Sequence, residues 1–234
     1  MRVLVTSAAA PLLQQLAQSL AKCHDVLGTD TKEISSEVDF ARSELDHTPA
    51  TNELVRGVDV IVHSGAVDPA ASVSEQLDFQ MRCTYNLLWA AAEERVPRFI
   101  YLSSLSLMHG YDEGLAVTER WKPLPTIEPA VLCYHLGEYV CREFAREGKI
   151  NVVVLRLGEL TDESNASPSR SALYMDDALQ AVEQALTAEL SGWIDIFHIQ
   201  SSVPNARYLT GQPWWSADDV SPSFSLGYQP RARS

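Results

Sequence analysis

The stretch VLVTSAAAPLLQQLA, residues Val3–Ala17, combines an apolar strand, a turn of small residues and an amphipathic helix that starts at Pro11. Strand–turn–helix units of this kind often bind a phosphate at the helix N-terminus, where free N–H groups and the helix dipole attract anions. Turns that do so are usually rich in glycine, and this one has no glycine. The turn therefore either binds an anion in an unusual way or only connects two elements.

The rest of the chain alternates apolar strands with helical patterns. The predicted strands are Arg2–Thr6, Asp25–Asp30, Val58–Ala66, Arg98–Ser104, Asn151–Leu157 and Trp193–Ile199. The predicted helices are Pro11–Cys23, Val73–Arg95, Val131–Arg146 and Met175–Leu190, and the segment 31–49 is predicted to be irregular. Uniformly apolar strands separated by helices indicate an α/β fold with a parallel sheet that is covered on both faces.

Length and charge limit the kinds of function. A chain of 234 residues that is 46% hydrophobic fits one domain, with room for a small extra lobe. The formal charge of −13 argues against a nucleic-acid or anionic-membrane surface, which needs clustered Lys and Arg. The N-terminus shows no signal-peptide pattern and no apolar run is long enough to span a bilayer, so we expect a cytoplasmic protein without a membrane partner.

The four cysteines indicate neither a metal site nor a disulfide. None of Cys23, Cys83, Cys133 and Cys141 forms a CxxC pair or has a histidine at metal-ligand spacing. Cys133 and Cys141 lie eight residues apart on a predicted helix, which is roughly 12 Å and too far for a bond. We expect buried free thiols in a reducing compartment, and no metal.

Several segments, in this order, resemble the extended short-chain dehydrogenase/reductase family, the NAD-dependent epimerase/dehydratase group. VLVTSAAAPLL resembles its strand and TGxxGxxG turn, and DVIVHSGA resembles its DVVIHLAA stretch. RFIYLSSLSLMHG, VTERWKPLPTIEPAVLCYHLGE, VVLRLGEL and LGYQP resemble its later segments, so the likeness covers nearly the whole chain. The resemblance implies a Rossmann-like, doubly wound parallel sheet with a small C-terminal cap.

We expect residues 1–160 to form the Rossmann-like dinucleotide-binding core. Residues 161–234 would supply the remaining core elements and the cap, within a single integrated domain. The segments 162–171 and 203–234 are expected to form the cap.

The family's glycine turn is altered at all three glycines, which fall at Ser7, Ala10 and Leu13. Ser7 fits the turn if its φ stays negative, whereas the Ala10 methyl group occupies space that a pyrophosphate needs. Leu13 must push the helix off the sheet or point elsewhere. The helix start at Pro11 and Leu12 keeps its positive end, so any NAD binding is expected to be weak. The alternative is a turn without a ligand.

Other cofactor-binding positions are implied by the same resemblance. Asp30 ends the second strand, where the family has an acidic ribose ligand that would favour NAD over NADP. Gly65 and Ala66 are small enough to let a cofactor pass the end of their strand. The alternatives are a solvated residue at a strand end for Asp30 and a plain turn for the other two.

In the family, a tyrosine exchanges the proton, a lysine four residues later lowers the tyrosine's pKa, and a Ser or Thr polarises the substrate oxygen. Tyr134 matches the tyrosine, and Ser104 is the best match to the hydroxyl residue, with Ser103 and Ser106 as rivals. Glu138 stands in place of the catalytic Lys and would raise the pKa of Tyr134. Glu138 also fits a surface helix ion pair with Arg142.

The remaining candidate residues have structural explanations. His63 lies within an apolar strand and is expected to be a satisfied core histidine. Asp176 and Asp177 precede a helix, where capping and the helix dipole account for them. Trp214 and Trp215 in the tail either cover the core or stack on a ligand, and the first interpretation is favoured.

Two functions remain open at this point. The altered turn and Glu138 favour a divergent, weakly catalytic or non-catalytic protein that binds a small molecule or another protein. The alternative is an active NAD-dependent oxidoreductase or a nucleotide-sugar epimerase/dehydratase. The sequence does not identify the substrate.

The resemblance also implies a homodimer. In the family two long helices from each subunit form a four-helix interface, and the matching segments are Val73–Arg95 and Val131–Arg146. Trp89 and Leu88 on the first, with Tyr139 and Val140 on the second, extend the apolar surface beyond one stripe.

Overall fold

The computed structural model describes residues 1–34, 37–66, 68–115, 117–165, 167–208 and 226–231. Nine strands lie within these residues: β1 Arg2–Thr6, β2 Asp25–Asp30, β3 Asp39–Arg42, β4 Val60–Ser64, β5 Arg98–Ser104, β6 Asn151–Leu157, β7 Glu159–Thr161, β8 Ala172–Tyr174 and β9 Ile194–Ile199. The α-helices are α1 Pro11–Leu20, α2 Pro49–Val55, α3 Val73–Asp78, α4 Thr84–Glu93, α5 Pro129–Arg146 and α6 Met175–Thr187.

Seven strands form one parallel sheet in the order β3-β2-β1-β4-β5-β6-β9, and β7 pairs with β8 separately. This confirms the predicted Rossmann-like, doubly wound sheet. The strand order reverses between β1 and β4, which are direct neighbours. In open α/β sheets the ligand crevice lies at this reversal, beyond the carboxyl ends of the strands.

Helices cover both faces of the sheet because alternate strand residues point to opposite sides. Val3 and Val5 pack in one cluster with α1 and α6, whereas Leu4 packs in a second cluster with α2, α4 and α5. The fully buried apolar strands are therefore explained by burial on both faces.

One short strand lies within the segment 31–49 that the sequence predicts to be irregular, and a short helix begins at its last residue. Strand β3 at Asp39–Arg42 extends the sheet by pairing with β2, and α2 at Pro49–Val55 follows it. The strand carries charged residues at both ends and lies at the sheet edge, so it lacks the apolar run that identifies the central strands.

The predicted single helix over 73–95 is interrupted. After α3, residues Phe79–Cys83 form a turn of π-helix, which leads directly into α4. Two other predicted helices end earlier than expected, α1 at Leu20 and α6 at Thr187. The predicted strand Val58–Ala66 is shorter as well, since β4 covers Val60–Ser64.

Candidate functional site

A crevice of about 880 Å³ opens at the strand reversal. Its walls come from the turn after β1, the ends of β2 and β4, and α3 with the π-helical turn. The crevice therefore lies where the fold predicts a dinucleotide to bind, and five of the predicted cofactor residues line it: Ser7, Ala10, Pro11, Asp30 and Ala66.

The turn after β1 is closed by its own backbone. The Ala10 N–H donates to the Ser7 carbonyl at 2.9 Å, and the Ala8 N–H donates to the Thr29 carbonyl at 3.1 Å. Ser7 has a φ of +52°, so the condition under which it was expected to fit the turn, a negative φ, is not met. The glycine geometry of this turn is retained by a residue with a side chain, which costs about 1–2 kcal/mol of backbone strain.

The start of α1 keeps free donors for an anion. Ala10 is the N-cap residue without a side-chain cap, and Pro11 also lines the crevice. The side chain of Leu12 packs against the core, so this residue can contribute to a ligand only through its backbone N–H group.

Of the two alternatives for Leu13, a displaced helix or a side chain that points elsewhere, the structure shows a side chain that points away from the crevice. Its side chain is 1% exposed and packs with Val3 and Val5 of β1 in the main core cluster. The side chain points under the helix into the sheet, away from the crevice, and it does not line the crevice.

The Asp30 carboxylate accepts hydrogen bonds from two backbone N–H groups. One carboxylate oxygen accepts the Ala9 N–H at 3.0 Å, and the other accepts the Lys32 N–H at 3.0 Å. A carboxylate has lone pairs left after two such bonds, so ribose hydroxyls can still donate to it.

The crevice is acidic. Five carboxylates line it, from Asp30, Glu44, Asp68, Glu75 and Asp78, together with the cations Lys32 and Arg82. Lys32 is paired with Asp68 at 2.7 Å, and this pair raises the pKa of Lys32. Arg82 is paired with both Asp78 and Asp46. The charge balance disfavours an additional phosphate, such as the 2′-phosphate of NADP.

Gly65 marks a close approach between β4 and α5. A Cβ atom on Gly65 would lie 2.5 Å from the Tyr101 hydroxyl oxygen and 2.7 Å from Cδ1 of Tyr134. A Cβ atom on Gly137 would lie within 1.9 Å of the same Tyr101 oxygen. These two glycines let Tyr101 fit between the strand end and the helix, and they bring Tyr134 to the edge of β4.

No cation in the described part of the chain stabilises the Tyr134 phenolate. Burial raises the pKa of Tyr134 to about 12, and the nearby Cys133 thiol acts in the same direction. No Lys or Arg side chain within the described ranges hydrogen-bonds to the Tyr134 hydroxyl.

Glu138 is part of a buried ion pair, so the expected surface pair with Arg142 is wrong. The two Glu138 oxygens accept from Nε and Nη2 of Arg156, both at 2.8 Å, and the Ser103 hydroxyl donates to Glu138 at 2.6 Å. Glu138 is 2% exposed and Arg156 is 1% exposed. The pair ties α5 to β6, and its carboxylate faces the sheet.

The three candidate serines have different partners. Ser104 accepts the Ser106 N–H at 3.1 Å and thereby caps the 3₁₀ segment Leu105–Met108. This contact uses only an oxygen lone pair, which leaves the Ser104 O–H available as a donor. Ser103 is committed to Glu138, whereas the Ser106 hydroxyl is buried without a partner.

Sequence reasoning missed Arg156 and Gln80 as parts of this region. Arg156 lies within an otherwise apolar strand, and its partner is 18 residues away in the sequence. Gln80 is fully buried in the π-helical turn, where it accepts a 2.9 Å hydrogen bond from the Tyr101 hydroxyl. A charged residue in a buried strand was the available signal for Arg156, whereas Gln80 had none.

The other predicted residues are structural where the structure describes them. His63 is buried between the hydroxyls of Thr6 and Thr84 at 2.8 and 2.9 Å, which confirms a satisfied core histidine. Asp177 is buried at the start of α6, and Asp176 lies in the same first turn. Trp214 and Trp215 lie outside the described residues.

Three of the four cysteines are buried and free, as expected, whereas Cys23 is exposed. No cluster of three metal-ligating side chains occurs in the described part of the chain. Within the same residues no helix is both long and apolar enough to cross a bilayer.

The chain is similar to known sugar-acid dehydrogenases. It is 26% identical over 201 residues to the uronate dehydrogenase of Agrobacterium fabrum, a match that covers 82% of this chain and 74% of that protein. A mutant uronate dehydrogenase from Agrobacterium tumefaciens, complexed with NAD, superposes with a TM-score of 0.82 at 22% identity, covering 98% of this chain and 84% of that one. Glucuronic acid dehydrogenase from Chromohalobacter salexigens superposes with a TM-score of 0.80 at 21% identity, covering 98% of this chain and 84% of that one.

The two structural matches support the fold. The family is shown by the sequence itself, because the model of the NAD-dependent epimerase/dehydratase family matches residues 7–186, most of the chain. This chain is therefore a member of the NAD-dependent epimerase/dehydratase family.

Proposed function

We propose that the protein is an NAD-dependent oxidoreductase that acts on a sugar acid of the uronate type, and that it works slowly at neutral pH. Of the two functions that the sequence leaves open, the comparisons favour the enzyme, since the matching relative is a uronate dehydrogenase. The observation that carries the proposal is the crevice at the strand reversal, which runs to the end of β4, where Gly65 lies against Tyr134.

The residues of the crevice fit a dinucleotide. The open N-terminus of α1 offers backbone N–H groups to the pyrophosphate, and Asp30 accepts from ribose hydroxyls. The acidic lining favours NAD over NADP. Binding is expected to be weak, because the Ala10 methyl group lines the crevice beside the helix start.

When bound, NAD would supply the acceptor for a hydride from the carbinol carbon of the substrate. The Tyr134 phenolate takes the proton of the same hydroxyl group, and the Ser104 O–H donates to its oxygen. A pKa of about 12 leaves roughly one Tyr134 in 10⁵ as phenolate at pH 7. Proton removal is therefore slow without the lysine.

The test is the pH dependence of turnover with NAD and D-glucuronate. Since the phenolate fraction grows tenfold per pH unit below the pKa, kcat/KM should rise by about that factor per unit from pH 7 to 10. Tyr134→Phe should abolish the activity, whereas Tyr139→Phe, an exposed tyrosine on the same helix, should not. A pH-independent activity, or one that survives Tyr134→Phe, would contradict this role.

A second candidate is an NAD-binding protein without turnover, and the buried Glu138–Arg156 pair favours it. At the position of the family's lysine this chain has Glu138, whose two carboxylate oxygens already accept hydrogen bonds from Arg156. Calorimetric titration with NAD separates the two. Binding without NADH formation at any pH supports the second candidate, whereas absence of binding contradicts both.

A further inference from the structure

Arg207 is held against the segment that carries Ser104. It follows β9, is partly buried, and donates from Nη2 to the backbone carbonyls of Tyr111 at 2.7 Å and His109 at 3.3 Å. These carbonyls come directly after the 3₁₀ segment Leu105–Met108, which Ser104 caps. Arg207 is therefore held against the residues that follow the segment capped by Ser104, the hydroxyl residue of the proposed site.

The guanidinium of Arg207 has no counter-ion among the described residues. Among the residues that the structure describes, no carboxylate lies within 4.0 Å of it, and its Nε is buried without a hydrogen-bond partner. The adjacent Arg170 takes the nearby acid, since it pairs with Glu113 at 3.3 Å. An unpaired, partly buried guanidinium is costly, so it points to an anion that is bound from outside.

Two aromatic residues lie next to Arg207, Tyr208 and His109. Its guanidinium carbon lies 5.3 Å from the centre of the Tyr208 ring. Burial and the charge of Arg207 both lower the pKa of His109, while Glu159 acts in the other direction, so the neutral form of this histidine is favoured. Tyr208 packs in the same apolar cluster as Tyr134, and its buried hydroxyl has no hydrogen-bond partner among the residues that the structure describes.

We propose that Arg207 is the specificity residue that binds the carboxylate of the sugar acid, an assignment that rests on the proposed function. Its Nη2 is used by the two carbonyls, which orient the guanidinium. Nη1 makes no hydrogen bond to the part of the chain that the structure describes, so it can donate to a carboxylate oxygen in a charge-assisted hydrogen bond. A neutral sugar lacks the carboxylate and gains nothing from this contact.

The test compares equilibrium binding of D-glucuronate and D-glucose by calorimetry, with the protein alone and with NADH present. Arg207→Gln should weaken D-glucuronate binding by about 10–100-fold and leave any D-glucose binding unchanged. The D-glucuronate affinity of Arg207→Lys should lie between those of the unmodified protein and Arg207→Gln, because lysine keeps the charge and loses the planar donors. Arg142→Gln, an exposed arginine on α5, is the matched control.

The outcomes separate this inference from the proposed function. If D-glucuronate binds equally well to the unmodified protein and to Arg207→Gln, the inference is overturned and the proposed function stands. If both sugars weaken together, Arg207 only supports the loop, and the inference is again overturned. If the protein binds NAD but neither binds nor oxidises D-glucuronate, the proposed function fails as well. Thermal unfolding shows whether each variant is folded. If Arg207→Gln is unfolded, the comparison is made with Arg207→Lys instead.

Discussion

Replacing Glu138 with lysine, which gives the family's expected residue, should destabilise the protein instead of repairing it. Glu138 and Arg156 are both almost fully buried, and their two contacts are 2.8 Å long. Removing one partner of a buried ion pair costs about 3–5 kcal/mol because the other charge stays buried. In a chain of this length each kcal/mol lowers the Tm by about 2–4 °C, so Glu138→Lys should lower it by roughly 6–20 °C.

Calorimetric unfolding at neutral pH measures this effect. The control is Glu143→Lys on the same helix, which breaks an exposed pair with Arg146 and should cost less than about 1 kcal/mol. Adding Arg156→Glu to Glu138→Lys restores opposite charges and should recover much of the loss. The double variant also places a cation one helical turn from Tyr134, so its turnover should exceed that of the unmodified protein.

A clear result would refute this reasoning. If Glu138→Lys alone unfolds within about 2 °C of the unmodified protein, the buried pair does not stabilise the fold as its geometry requires. If the double variant is no more stable than the single one, Glu138 and Arg156 are not energetically coupled.

Three further outcomes are expected. Ser7→Gly should raise the free energy of unfolding by about 1 kcal/mol in urea titrations, because Ser7 has a φ of +52°; a loss of stability would contradict this. Burial lowers the pKa values of His63 and His198 to about 3, so below about pH 6.5 the unfolded chain binds more protons and stability should fall by about 1.4 kcal/mol per pH unit for each histidine. Burial raises the pKa of Glu119, so this residue offsets part of the loss of stability. A urea midpoint at pH 5 that equals the midpoint at pH 7 would contradict the prediction for the two histidines. We also expect a homodimer through α4 and α5, where Trp89 is 40% exposed; light scattering should show a dimer that Trp89→Lys converts to a monomer.

The central strands could be predicted from the sequence because burial on both faces leaves a simple apolar signal. Val3–Val5 and Val152–Leu155 carry this signal, and both lie in the sheet as expected. Strand β3, with the sequence DFAR, lacks this apolar signal, because it lies at the edge of the sheet and pairs only with β2 among the strands of the sheet. Edge strands are therefore the least predictable part of such a fold.

The site was only partly predictable. The positions of Asp30 and Ala66 at the crevice follow from the strand order, which an apolar pattern can indicate. The partner of Glu138 could not be found by spacing along a helix, because the pair with Arg156 joins two elements. The fate of Leu13 likewise depends on which way the helix faces the sheet, and its burial means that Leu13→Gly would create a core cavity.

The π-helical turn at Phe79–Cys83 allows one continuous helix to serve two surfaces. Gln76 and Phe79 line the crevice, while Leu87 and Leu88, farther along, are fully buried in the core. A π turn holds one residue more than an α turn, and each residue of an α-helix advances the side-chain direction by about 100°. Shortening this turn by one residue would therefore rotate one of the two surfaces away from its neighbours. A relative with one residue more or fewer at this turn would therefore present a different face of the helix to the crevice.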